Sequence, residues 1–273
     1  MTQKFLTVRG TEVPALGLGT WRLTGDDCYD AVTTALELGY RHIDTAQAYG
    51  NERRVGDAIR DSDVDREDVF LTTKLNVGNR AHDDVIRSTE ESLARLATGY
   101  VDLLLIHNRA QRTPLGETLD AMNELVDRDK VRHVGVSNFD IDLLDRARRL
   151  SDAPIFTDQV QYNPYWPQGE LLDYCDIHDV LVTAYSPLAH GAALDDDLLA
   201  EIGDRYDKSA AQVALRWLVQ QGVATVPKAT SREHLAANFD IFDFELTDEE
   251  MEAIRRPSKT RALGGFIRGR LPV

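Results

Sequence analysis

Short runs of apolar and β-branched residues alternate along this chain with longer segments whose apolar positions recur every three or four residues. Residues 5–8 and 12–15, joined through Gly10-Thr11, read as a hairpin ahead of the alternation. Strands are then expected at 16–19, 42–44, 69–74, 101–106, 131–136, 156–161, 181–185 and 224–227. Helices are expected at 28–38, 52–60, 83–96, 115–127, 141–150, 170–177, 198–206, 210–220, 232–239 and 247–254. The nearly unbroken apolar run from Val101 to Ile106 suits a strand buried on both faces. Eight such strands separated by helices predict an α/β fold, a (β/α)8 barrel of the TIM type preceded by a β-hairpin. An open doubly wound sheet fits less well. Gly17-Leu18-Gly19 is followed by Arg22 where a dinucleotide fingerprint needs its third glycine, so no Rossmann domain is expected. No Pro/Gly/Ser tract interrupts the chain, and residues 1–273 are expected to form a single domain.

The chemistry gathers at the ends of these runs. Asp44 and Tyr49 sit in YRHIDTAQAYGNE, Lys74 closes VFLTTK, and His107 closes VDLLLIH. In a parallel barrel the C-terminal strand ends converge on one rim. A lysine ammonium beside a phenol is expected to lower the phenol's pKa from its ordinary value near ~10 and ready it to give a proton to an oxygen. Asp44 would hold that ammonium as its ion-pair partner, and His107 could hydrogen-bond and polarise a carbonyl. Reduction of a carbonyl also needs a hydride, which no side chain supplies, so a nicotinamide is required. Each residue has an ordinary structural explanation when taken alone: loop packing, a helix cap, a solvated strand end, a satisfied core histidine. Their joint placement on one rim favours a site.

Charge and composition narrow the setting. The formal charge is −15, and lysine is scarce beside abundant arginine. The clusters Asp61-Ser62-Asp63-Val64-Asp65 and Asp195-Asp196-Asp197 read as solvated surface, and an acidic, lysine-poor exterior points to a salt-adapted (halophilic) organism. No basic stripe suits nucleic acid, and no stretch suits a membrane span or a secretory signal, so a cytoplasmic protein is expected. Cys28 and Cys175, on separate predicted helices, read as buried thiols. The seven histidines show no H-x-H or H-E-x-x-H spacing, so no metal site is expected.

With GLGTW, YRHIDTAQAYGNE, TTK, DLLLIH, VGVSNF, QVQYNP, AYSPL and VPKAT in order, the chain resembles the aldo-keto reductases over essentially its whole length. The resemblance implies a catalytic tetrad of Asp44, Tyr49, Lys74 and His107, with Tyr49 as proton donor, and NADP(H) bound in extended form. Along the nicotinamide it places Gly19, Thr20, Trp21 and Asp44. Ser137, Asn138 and Gln159 match residues that hold the carboxamide, and Tyr185 matches the aromatic stacked on the ring. Ser186, Pro187 and Leu188 match the pyrophosphate loop, and Lys228, Ala229, Thr230, His234 and Asn238 the adenosine end. Trp21, Tyr49, His107 and Asn108 fall on the substrate side.

Several positions depart from the family pattern. Ala229 replaces a common serine, His234 stands where an arginine usually clamps the 2′-phosphate, and Ala237 replaces an acidic residue at the adenine. A neutral imidazole is a weaker phosphate partner than a guanidinium, so NADP(H) is expected first and NAD(H) remains open. Asn108-Arg109 follows the histidine in place of Trp-Pro, and Leu75-Asn76 replaces a tryptophan-bearing segment. Trp21 and Trp166 remain as aromatic walls. With Arg261, Arg268 and Arg270 in the C-terminal segment, these changes suggest a polar pocket for small aldehydes, keto-sugars or other oxygenated or anionic carbonyls. A monomer is expected. The competing reading is a nucleotide-sensing regulatory subunit of the same fold with little turnover.

Overall fold

The computed structural model of the protein describes residues 3–108 and 113–255. Two short antiparallel strands come first, β1 (Phe5–Val8) and β2 (Thr11–Pro14), in a register that pairs Val8 with Thr11. The turn between them is therefore Arg9-Gly10, not Gly10-Thr11. Both turn residues have positive φ, 49° and 78°, as a two-residue turn matched to strand twist requires.

The eight strands that follow are β3 (Leu18–Gly19), β4 (His42–Asp44), β5 (Phe70–Leu75), β6 (Val101–Ile106), β7 (Val131–Ser137), β8 (Ile155–Gln161), β9 (Leu181–Tyr185) and β10 (Ala224–Thr225). They lie side by side in chain order, every pair parallel. The two edges of the sheet meet. Leu16 bridges Thr225 in parallel fashion, Gly17 N–H donates to Thr225 O at 2.8 Å, and Gly19 N–H donates to Pro227 O at 3.0 Å. This curled sheet, wrapped by helices, is consistent with a (β/α)8 barrel.

Helices α1 (Gly25–Leu38), α2 (Glu52–Arg60), α3 (His82–Arg95), α4 (Leu115–Asp127) and α5 (Ile141–Leu150) serve the first half. Helices α6 (Gly169–Ile177), α7 (Asp197–Asp204), α8 (Ala210–Gln220), α9 (Arg232–Phe239) and α10 (Asp248–Arg255) serve the second. Their apolar stripes and the outward strand residues form one large buried cluster that includes Val32, Leu104, Val134, Leu144 and Trp217. A smaller cluster fills the barrel interior, where Val8 and Val13 of the hairpin pack with Phe70, Leu103, Leu105, Phe156, Leu181 and Ala224. The hairpin thus stoppers the end where strands begin. The other end is left to polar residues.

Strands β4, β6 and β9 and helices α2, α4, α5, α8 and α9 fall where expected, while other elements have boundaries shifted by one to three residues. Helix α1 begins at Gly25, three residues early, because extended Thr24 opens it and Asp26 and Asp27 suit the positive end of its dipole. Strand β10 stops at Thr225, short of the proline at 227 that has no N–H to give the ladder. Three 3-10 turns, Gln47–Tyr49, Arg66–Asp68 and Ala189–Gly191, had no expected counterpart. One reading of the acidic clusters is corrected. Asp61, Asp63, Asp65, Asp195 and Asp197 are exposed, but Asp196 is buried at 8 % exposure and caps α7. Its Oδ1 accepts from Leu198 and Leu199 N–H, and its Oδ2 accepts from the Tyr165 hydroxyl at 2.7 Å. Cys28 and Cys175 are both buried, on α1 and α6. No described helix is long and apolar enough to cross a membrane. Arg109 and the C-terminal arginines lie outside the described residues.

Helix α2 crosses the end of α3 closely enough to require Gly56. A Cβ there would stand 2.5 Å from the backbone carbon and oxygen of Leu96. Alanine would gain roughly 1 kcal/mol of helix propensity, but overpacking against rigid backbone costs about 1–3 kcal/mol. Gly56→Ala is therefore expected to lower the urea midpoint without changing the m-value. An unchanged or higher midpoint would show that the two helices separate freely.

Candidate active site

Lys74 lies near the end of β5 and Asp44 at the end of β4, on adjacent parallel strands, so their side chains share the barrel interior. The Lys74 ammonium is 1 % exposed and pairs directly with Asp44 Oδ1. It also donates to Thr45 O at 2.9 Å and to the Tyr49 hydroxyl at 3.4 Å. Asp44 Oδ2 accepts from Gln159 Nε2 at 2.7 Å, a contact reaching across from β8. His107, just past β6, presents its ring to Tyr49 edge-to-face, with centroids 5.7 Å apart. The four residues proposed from strand ends therefore meet.

Burial and charge set their protonation in different directions. Burial alone would strip the Lys74 proton, but Asp44 and Tyr49 outweigh it and the pKa rises, so the ammonium is retained. For Tyr49 the expectation was wrong in sign. Burial raises its pKa more than Lys74 lowers it, and Asp44 adds to the rise, so the phenol is held protonated. His107 is pushed down to about 4, first by burial and then by Lys74, which leaves its imidazole neutral at pH 7. A protonated phenol next to a fixed cation, with a neutral imidazole facing it, is a proton-donating pair for a developing oxyanion.

The phenol opens into a cavity of about 910 Å³ at the C-terminal ends of the strands. Its wall includes Gly19, Trp21, Asp44, Tyr49, His107 and Asn108 on one side. Ser137, Asn138, Gln159 and Tyr185 line its floor, and Ser186, Pro187, Leu188 and Lys228 extend it outward. Ser137 donates to Gln159 O at 2.7 Å, and the Asn138 amide reaches His107 O, Asn108 Oδ1 and Ser137 Oγ. Tyr185 donates to Asn138 Oδ1 at 2.7 Å. Lys228 is exposed, with no ion pair among the described residues.

Not every expected residue reaches this wall. Lys74 lies beneath it. Thr20 is buried, and its hydroxyl donates to Asp44 O at 2.9 Å, so it steadies the strand end rather than lining the cavity. Ala229 and Asn238 are buried and Thr230 and His234 exposed, all four outside the cavity lining. Arg232, at the start of α9, is engaged by Glu37 at 2.6 Å.

Sequence reasoning missed two groups. Arg22 and His190 stand at the mouth, one with its guanidinium 4.5 Å over the Trp21 ring, the other edge-on to that ring at 6.0 Å. His190 follows Ala189 in a run of left-handed residues (φ 49° and 52°) that the run LAHG only hints at through its glycine. The second group clamps the loop bearing Tyr49. Gln47 binds Ser88, Ser92 and the Asn76 N–H, and Asn51 donates to Thr20 O and Leu23 O while accepting from Thr45. Buried Glu52 joins Thr73 at 2.6 Å to Arg95 at 2.8 Å. Their presence inside YRHIDTAQAYGNE was the available signal.

With this geometry established, comparison with known proteins decides the family. The model of the Aldo/keto reductase family matches residues 15–258. The chain belongs to the aldo/keto reductase family. A glyoxal reductase from Bacillus subtilis is 38 % identical over 93 % of this aldo/keto reductase and 92 % of its own length. A methylglyoxal reductase from Salmonella typhi is 40 % identical over 89 % of this chain and 92 % of its own. The crystal structure of a Bombyx mori aldo-keto reductase in complex with NADP superposes with a TM-score of 0.88 at 32 % identity, covering 93 % of this chain and 92 % of that one. Among the described residues of this aldo/keto reductase no cluster of His, Cys, Asp and Glu could hold a metal ion.

The depressed His107 pKa carries a pH signature. Between about 4 and the ordinary 6.5 the unfolded chain binds a proton that the folded imidazole refuses, so the contribution of His107 to stability rises with pH across that window. That contribution is full above pH 6.5 and lost as pH falls toward 4. After allowance for solvent screening, His107→Gln is expected to recover about 1–2 kcal/mol of the wild-type loss at pH 4.5. Parallel urea titrations of both proteins at pH 7 and 4.5 measure this. Equal losses in the two would place the imidazole in open solvent.

Proposed function

We propose that this chain reduces small, polar aldehydes and ketones, 1,2-dicarbonyls among them, to alcohols with NADP(H), and that Tyr49 donates the proton. The observation that carries the proposal is the contact between the Tyr49 hydroxyl and the buried Lys74 ammonium at 3.4 Å, opening into a cavity with a neutral His107 on its wall. In this reading a substrate oxygen lies between Tyr49 and His107. The imidazole fixes and polarises the carbonyl without competing to protonate it. As negative charge grows on that oxygen, Tyr49 gives up its proton, and the buried ammonium stabilises the phenolate left behind. Asp44 and Thr45 O keep the ammonium charged and aimed, and Gln159 keeps Asp44 from turning.

The cavity suits a nicotinamide dinucleotide. Gln159 uses its Nε2 on Asp44 and makes no hydrogen bond through Oε1 to the described residues, which leaves an acceptor for a carboxamide. Tyr185 offers a ring face, and unpaired Lys228 offers a cation for phosphate. When bound, the dinucleotide supplies the hydride. Because Glu37 already occupies Arg232 and His234 lies outside the cavity lining, recognition of the 2′-phosphate rests mainly on Lys228. On the substrate side Arg22 and His190 flank Trp21, which is 44 % exposed, and Asn108 lines the same cavity; such a mouth favours small oxygenated carbonyls over bulky apolar ones. The names of the two bacterial relatives agree with that preference.

Tyr49→Phe is expected to lower kcat for methylglyoxal reduction about a hundred- to ten-thousand-fold, with the NADPH dissociation constant within about threefold of wild type. Persistent turnover would remove Tyr49 as donor, whereas tight dinucleotide binding by a wild type that turns over no carbonyl would favour the sensing role. Lys228→Met is expected to weaken NADPH about tenfold or more, the worth of one charge-assisted contact, and to leave NADH binding nearly unchanged. Equal weakening of both dinucleotides, by fluorescence titration, would move 2′-phosphate recognition elsewhere.

A further inference from the structure

Three basic side chains line the mouth of the catalytic cavity, each from a loop that follows one of three neighbouring strands. His190 follows β9, Lys228 follows β10, and Arg22 follows β3, which closes the barrel against β10. Among the described residues lining the cavity Asp44 is the one carboxylate, and Lys74 and Gln159 already hold its two oxygens. In a chain of formal charge −15, such a rim marks a place for an anion. Loops after the last two strands of a parallel barrel frequently form a phosphate site.

His190 is placed to respond to that charge. Ala189, His190 and Gly191 all have left-handed backbones, with φ of 49°, 52° and 95°. The ring of His190 meets Trp21 edge-on at 6.0 Å, and Arg22 lies 4.5 Å over the same indole, so one aromatic keeps two basic groups together. Neither ring nitrogen of His190 makes a hydrogen bond to the described residues. Its pKa lies below the ordinary 6.5, first because the cavity wall shields it from water, then because Arg22 and Lys228 face it. These two cations are the charged groups that act on it among the described residues; Asp196, further along the same loop, is turned to Tyr165 and the start of α7. The imidazole is therefore neutral at pH 7, and a negative charge placed among the three groups favours its protonation.

We propose, resting on the dinucleotide reading of this cavity, that His190 is a proton-linked clamp: neutral in the free protein, it takes a proton from the buffer when phosphate charge settles among Arg22, His190 and Lys228, and holds that charge as a cation. A neutral imidazole spares the free protein a third cation at one spot, and the proton arrives with the charge that needs it. Because binding raises the affinity of His190 for a proton, a fall in pH tightens binding in return, until the imidazole is protonated in the free protein too. The clamp loosens as pH rises.

Calorimetric titrations of the full chain near pH 6.5 with NADPH and with NADH, in phosphate-free buffers of different ionisation enthalpy, count the protons exchanged. Wild type is expected to take up a fraction of a proton more than His190→Asn, a substitution that suits the left-handed backbone. The 2′-phosphate of NADPH is common to both titrations and absent from NADH, so the difference belongs to the imidazole. Between pH 6 and 8 the wild-type dissociation constants are expected to weaken about three- to tenfold more than those of the variant. Dinucleotide binding with equal proton uptake in the two proteins overturns the clamp and leaves the dinucleotide reading standing, whereas a wild type that binds neither dinucleotide overturns both. If the variant binds too weakly to titrate, histidine-ring NMR of the wild type decides. The His190 signal, assigned by its absence from the spectrum of the variant, is expected to titrate at higher pH with NADPH bound; an equal or lower midpoint refutes the clamp.

Discussion

A lysine ammonium held inside a parallel barrel is the constraint on which the site depends. Lys74 has no water to turn to, so it must be neutralised by protein, and Asp44 on the adjacent strand does so. Removing one member of such a pair typically costs about 3–5 kcal/mol, because the survivor is left charged and unpaired. The pair therefore fixes more than itself. It holds the ends of β4 and β5 in register, and through Gln159 it ties β4 to a strand on the far side of the barrel. The hairpin and the Phe70–Phe156 cluster seal the opposite end, which keeps water from reaching the pair from below.

The same burial that makes the pair expensive explains why its neighbours titrate apart. A low-dielectric pocket disfavours any new charge, so Tyr49 keeps its proton and His107 stays neutral. Lys74 lowers the cost of a phenolate at Tyr49 but does not make it the resting state. A proton donor held protonated until an oxyanion develops beside it is more useful than one that ionises beforehand. The loop bearing Tyr49 is kept at this spot by part-buried hydrogen bonds of Gln47 and buried ones of Asn51 and Glu52.

Much of this could be read from the chain because buried parallel strands are written as continuous apolar runs. Val101–Ile106 and Phe70–Leu75 are buried at every position; His107 directly follows the first, and Lys74 is the last residue but one of the second. Where structure is set by local backbone geometry the sequence was less informative. The left-handed run at Ala189 and His190 and the Arg9-Gly10 turn depend on dihedral angles that residue types only loosely restrict. Asp196 looked like surface because its neighbours are surface; only the fold brings Tyr165 to it. The direction of the Tyr49 shift depended on weighing burial against a neighbouring charge, and the depth of burial is a tertiary quantity.

The central claim is that Lys74 acts on the carbonyl through Tyr49, as one unit. A double-mutant cycle on single-turnover reduction, with Tyr49→Phe, Lys74→Met and the pair together, tests it most directly. The account predicts that the double variant is no slower than the slower single variant by more than about threefold, since either change disables the same device. Losses that multiply, so that the double variant is slower by the product of the two, would mean that the ammonium and the phenol work independently.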